Sequence, residues 1–161
     1  MALIMSWSEC SITIAKTGAN DAMGTPLVSI GTIKDKSTTM STAEGDKLTA
    51  KATGGKLIAQ DQLEGENTLT TRVIEPDFTF LASILGVTIV NGELPVTGLV
   101  ISDPYSFQLA PKLSGANGLK VRKSHLSIKE GYSEDEGTYI DLTFTFLTCA
   151  DGALYTKYKK A

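Results

Sequence analysis

Hydrophobic and polar residues alternate in short runs along most of this chain, the pattern of strands covered on one face. The clearest run is Tyr139 to Thr148, with Ile140, Leu142, Phe144 and Phe146 on one side and Asp141, Thr143, Thr145 and Thr148 largely on the other. Cys10, Ile12 and Ile14 alternate with Ser11, Thr13 and Ala15, and Leu27 to Ile33 predicts a second strand. Leu48 to Thr53 and Lys56 to Gln60 flank Gly54-Gly55, a hairpin signal because both turn positions can take positive φ. Glu66 to Ile74 places Leu69, Thr71 and Val73 on one face. Asn91-Gly92 separates Val87 to Val90 from Leu94 to Ile101 with the same turn chemistry. Tyr105, Phe107 and Leu109 alternate before a loop at Ser114 to Gly118, and Leu119 to Lys129 predicts a strand with a bulge near Lys123. Asp151-Gly152 then turns the chain into Leu154 to Tyr158.

One segment carries helical spacing instead, EPDFTFLASILG. Pro76 keeps the chain extended, Asp77 is placed to cap the first turn, and Gly86 suits a left-handed stop. Phe78, Leu81 and Leu85 form a stripe with Phe80 and Ile84 beside it, so this short helix must pack on the sheet to exist. Nine to eleven short strands and one helix near 77–86 predict a mainly β (α+β) fold. The architecture expected is an antiparallel β-sandwich or partly closed barrel with one flanking helix. At 161 residues the chain forms a single domain that buries roughly 70% of its unfolded surface.

The polar run Lys34 to Lys47, KDKSTTMSTAEGDK, interrupts the alternation. It reads as a long inter-strand loop, and connections of this length in a small domain are commonly functional. With no catalytic constellation in it, a contact with another chain is the expectation. Lys34, Asp35, Lys36, Met40, Glu44, Asp46 and Lys47 are its candidate interface residues, with Trp7 of the N-terminal segment as an apolar anchor. Deleting Thr38 to Ala43 is accordingly expected to spare the fold.

Charge and composition narrow the function classes. The net charge of −3 and scattered Lys and Arg lack the basic stripe of a dedicated nucleic-acid binder. Cys10 and Cys149 read as two reduced thiols of a cytosolic product. The start MALIMSWSEC has no basic region and too short an apolar run for a signal peptide, and no segment approaches the ~20 apolar residues of a membrane span. Cytoplasmic synthesis is the expectation.

Candidate chemistry is sparse. His125 is the sole histidine and nothing resembles a nucleophile elbow. One His and two distant Cys make a poor zinc set. AKATGGKL lacks the first Gly of a phosphate loop and has Leu57 where Ser or Thr is required. The acidic run Ser133 to Gly137 does not follow calcium-loop spacing. No catalytic residue, cofactor or metal is expected.

The order of elements resembles the phage major tail tube proteins, the inner tube of tailed phages and related contractile injection systems. The residues that carry it are the Trp7-containing start, VSIGTIKD, the run ending AEGDKLTAKATGG, and EPDFTFLASILG. They span most of residues 1 to 90. The resemblance implies a β-sandwich or barrel flanked by a helix, assembling as hexameric rings stacked around a channel for genomic DNA. It implies a bridging loop at Lys34 to Lys47 and bridging arms at Met1 to Ser8 and Leu154 to Ala161. Its partners would be further copies of itself and other tail proteins (sheath, baseplate, tape measure, terminator), and its location the virion tail, without membrane insertion. An acidic wall would let phosphate slide past, and Asp141 is a candidate lumen-facing carboxylate. Two alternatives are kept. One is another tail component, such as a terminator or baseplate protein. The other is a non-catalytic β-sandwich module binding carbohydrate or another surface, with Trp7, Tyr105, Tyr132 and Tyr139 as stacking rings.

Overall fold

The computed structural model describes residues 3–6 and 9–161. Eight strands form one antiparallel sheet: β1 (Cys10–Lys16), β2 (Val28–Ser29), β3 (Thr39–Lys51), β4 (Leu57–Ile74), β5 (Tyr105–Pro111), β6 (Asn117–Ser133), β7 (Gly137–Phe146) and β8 (Thr156–Lys159). Helix α1 (Phe78–Leu85) lies between β4 and β5 in sequence. The sheet runs β2-β1-β5-β6-β7-β4-β3, and β8 pairs with the start of β6 on the flank β7 occupies further along. It curls in a sandwich-like manner without closing, so β2 and β3 remain as edges.

The strands are fewer and longer than the alternation predicts. β4 has 18 residues and β6 has 17. β3 absorbs most of the polar run expected to be a loop, leaving only residues 34–38 as a connection. The physical reason is that a β ladder is made by backbone groups, which pair as well through Thr39–Thr70, Met40–Leu69, Ser41–Thr68 and Thr42–Asn67 as through apolar residues. Conversely, Leu27 to Ile33 shrinks to the two residues of β2, and neither Val87 to Val90 nor Leu94 to Ile101 forms a strand. The Asn91-Gly92 turn does form, closed by reciprocal Val90–Glu93 backbone bonds of 3.0 and 2.9 Å.

The core lies on one face of the curled sheet. Ile12, Ile14, Leu69, Val73, Phe107, Val121, Leu126, Ile128, Ile140, Leu142, Phe144 and Phe146 supply it, and Phe80, Leu81 and Ile84 of α1 cover it. Phe107 sits 4.3 Å from Phe144 between ring centroids, close enough for offset ring contact. The bulge expected near Lys123 is present, as a register shift between the Tyr105–Ser124 and Phe107–Val121 pairs. The hydroxyl of Ser124, turned inward there, donates to the Tyr105 carbonyl at 2.8 Å. Two details of α1 differ from expectation. Asp77 occupies the N-cap position without a side-chain bond, and Phe78 points to solvent, one residue out of the covered face. Gly86 ends the helix in the left-handed conformation.

Candidate functional site

The part of the fold that lacks support of its own is the outer half of the β3–β4 hairpin. β4 loses its β7 partner beyond Thr68, which pairs with Thr145. From there the two strands continue alone, through Lys47–Gln62, Leu48–Asp61, Thr49–Gln60 and Ala50–Ala59, to the Gly54-Gly55 turn. Both glycines take the expected positive φ, 88° and 81°, but the loop has three residues where a two-residue turn was expected: Ala52 and Lys56 close it, and the Gly55 amide donates back to the Ala52 carbonyl at 3.1 Å. Residues 47–62 are exposed throughout, and both outer edges of the ribbon are unpaired among the described residues. A two-stranded ribbon of this sort is marginally stable at best in water.

The ribbon is nevertheless apolar on one side. Directly opposed residues share a face, which puts Leu48, Ala50, Ala59 and Leu63 together, with Asp61 among them. Leu48 is 56% exposed and Leu63 50%, while Leu57, opposite Lys51 and so on the other face, and Ile58 at the bulge near the turn are 51% and 63% exposed. Large aliphatic side chains clustered this openly mark an interaction surface. Lys51 and Lys56 flank the turn with no carboxylate within 4.0 Å among the described residues.

A double irregularity separates ribbon from body. The register shifts between Thr42 and Glu44 and again between Glu44 and Lys47. Gly45 and Gly65 face the opposite backbone here: a Cβ at Gly45 would lie 1.9 Å from the Leu63 carbonyl oxygen, and one at Gly65 2.0 Å from that of Ala43. Only glycine admits so close a crossing. Glu44 stands opposite Glu64, a like-charge pair that weakens cross-strand association.

The expected interface residues therefore divide into two groups. Glu44, Asp46 and Lys47 lie exposed at the root of the ribbon, with Lys47 and Glu44 3.5 Å apart. Met40 instead packs against the core, and Thr38 shares a 3.0 Å hydroxyl bond with Thr71, so residues 38–43 are in part structural and deleting them would remove a core-packed strand. Asp35 and Lys36 are exposed at a tight turn. Lys34 is bound inward: its amide donates to the Arg72 carbonyl at 2.9 Å and its ammonium meets Glu136. Trp7 falls outside the described residues.

Lys34 belongs to an ion network that the sequence does not announce. The Arg72 guanidinium forks onto Asp141 at 2.6 and 3.0 Å, reaches Glu136 at 3.0 Å, and lies 4.0 Å over the Tyr139 ring. The bond to Asp141 is the main reason that Arg72 is held well above its usual pKa, and Lys34 is the main reason that the Glu136 carboxyl titrates below the usual range. Ser37 completes the clasp, donating to the Lys34 carbonyl at 2.7 Å while accepting the Arg72 amide at 3.2 Å. The network ties the 34–37 turn to β4 and β7. It also pairs Asp141 with a cation, so this carboxylate does not present a bare negative charge to the polar face. Arg72 and Glu136 escaped sequence reading because their partners are 64 to 102 residues apart.

Other sequence candidates are dispersed. His125 stands exposed opposite Thr145. Cys10 and Cys149 are both free thiols. Among the described residues no three His, Cys, Asp or Glu side chains cluster as metal ligands. The stacking platform is not assembled, since Tyr105 is buried and Tyr139 lies beneath Arg72. No described helix is long and apolar enough to cross a membrane. An open groove of about 1180 Å³ borders the 34–38 turn, with Ile33, Met40, Leu109 and Tyr155 on its walls. Set against protein-family models and curated proteins, the chain matches none.

Proposed function

We propose that this protein is a non-catalytic structural subunit that assembles with copies of itself, in the manner of a phage-type tail tube built from stacked hexameric rings. The observation that carries the reading is the exposed ribbon of residues 47–62, an amphipathic hairpin arm with no partner among the described residues. Its apolar face gains free energy at about 25 cal/mol per Å² on being covered. Its open edges can add strands by backbone bonding. The resemblance of VSIGTIKD, AEGDKLTAKATGG and EPDFTFLASILG to tail tube proteins supplies the hexameric ring and the channel. Genomic DNA would pass through without specific binding, consistent with the net charge of −3. Sheath, baseplate, tape measure and terminator proteins would be the neighbours in a virion tail assembled in the host cytoplasm.

Negative-stain electron microscopy of the purified protein over a concentration series tests this. Rings or hollow tubes with six-fold end views are expected. Replacing residues 48–61 by Asn-Gly joins Lys47 to Gln62, already cross-strand partners, and should leave a folded monomer that forms no tubes. Uniform monomers of the wild-type chain at every concentration would overturn the reading, as would normal tubes from the shortened chain.

A further inference from the structure

The segment 94–103 is strand-prone in sequence but joins no sheet. Its sequence, LPVTGLVISD, is β-prone, yet among the described residues none of its backbone groups makes a hydrogen bond within the chain. Ile101 is buried and Leu94 packs against the core, so the segment is pinned at both ends. Residues 95–100 between them stand in solvent, with Val100 85% exposed and Val96 and Leu99 partly so. Backbone groups in such a segment are left to water or to an incoming strand. Gly98 has no neighbouring atom within 4 Å of where its Cβ would be, so the approach is open.

We infer that the 94–101 segment is the docking strip for the 47–62 ribbon of a second copy of this chain. The inference rests on the self-assembly reading and adds to it the receiving surface. Charge selects the pairing. Between Lys47 and Gln62 the ribbon carries Lys47, Lys51 and Lys56 against Asp61, a net +2. The strip itself carries no charge and is flanked by Glu93 and Asp103; Asp103 lies 3.3 Å from Lys16, so Glu93 is the flanking carboxylate without a cation among the described residues to meet the basic arm. The groove beside the 34–38 turn is the competing receptor. It is lined by Lys34, Lys36 and Lys157 against Glu9 and Asp35, a net +1, the wrong sign for a basic arm. Apolar character matches too: Leu48 and Leu63, on the arm's apolar face, are matched by Val96, Leu99 and Val100 on the strip. Arm and strip are different surfaces of one chain, so the contact is head-to-tail and propagates into a ring or a filament.

Complementation between two defective variants tests the pairing, read by light scattering after size exclusion and by electron microscopy. Val100→Glu spoils the strip, and Lys51→Glu/Lys56→Glu spoils the arm. All three positions are exposed, so melting temperatures should match wild type. Each variant alone should need at least about tenfold more protein to assemble, equivalent to ~1.4 kcal/mol per contact. Mixed in equal amounts, they retain one good arm and one good strip and should form a 1:1 complex that does not grow. Adding Glu93→Lys to the arm variant should restore part of its assembly. If the wild type never assembles, the self-assembly reading fails and this inference with it. If arm variants abolish assembly while Val100→Glu and Glu93→Lys leave it unchanged, self-assembly stands and the strip is wrong.

Discussion

β4 passes through two environments in 18 residues. In its second half, Leu69, Thr71 and Val73 are buried between β3, β7 and the core, and Arg72 on the opposite face is clasped by Asp141 and Glu136. In its first half, the same strand has one partner, two wet faces and an open edge. The contrast teaches that continuity of a strand says nothing about the source of its stability. The inner half is held by burial and a filled ladder. The outer half is held by the ladder alone, which exchanges one set of hydrogen bonds for another with water and nets little. Under the self-assembly proposal, covering the arm on a second copy makes up the deficit.

Substitutions should separate the two halves, and the largest effect belongs to the body. Phe144→Ala removes a ring that is fully buried against Phe107, and should destabilise the fold by about 3–5 kcal/mol in chemical denaturation. Next comes the junction. Gly45→Val places a side chain into the Leu63 backbone, so the strands must part. Limited proteolysis within 47–62 should accelerate strongly while the body's unfolding transition moves little. A matching collapse of the body would show that the two halves are one cooperative unit.

The ion network gives a smaller, pH-dependent effect. Lys34 and Arg72 depress the Glu136 pKa, so the contribution of Glu136 to stability is present above the ordinary carboxylate value of ~4.3 and is lost as the pH falls through the lower folded value. Glu136→Gln should thus lower the melting temperature at pH 7 and converge with wild type in acid. A gap that widens in acid would reverse the sign. The smallest effect on folding is expected in the ribbon. Leu48→Ser/Leu63→Ser should change monomer stability by less than about 0.5 kcal/mol per site and still abolish tubes in the electron microscope.

What the sequence makes legible follows the same division. Gly54-Gly55, the Gly86 helix stop, the Lys123 bulge and the β7 alternation rest on local backbone chemistry or on burial of one face, and all stand where the residues place them. The span of β3 was hidden because from Ser41 to Lys47 every side chain larger than Gly45 is exposed, and Met40 alone marks an inner face, which is too little to make an alternation. Leu94 to Ile101 misleads in the opposite sense: its residues favour a strand, but no described partner lies beside it. Asp141 was legible as a polar-face carboxylate. Its pairing with Arg72 was not, since β4 and β7 meet only through the sheet. Both failures concern pairing, which is non-local.

Hydrogen exchange by mass spectrometry, on dilute monomer and on the assembled material, tests the central claim most directly. Amides of residues 47–62 should exchange rapidly in the monomer and become protected on assembly, while those of β6 and β7 stay protected in both. Slow exchange of the ribbon in the dilute monomer, or a ribbon left equally exposed after assembly, would contradict the account.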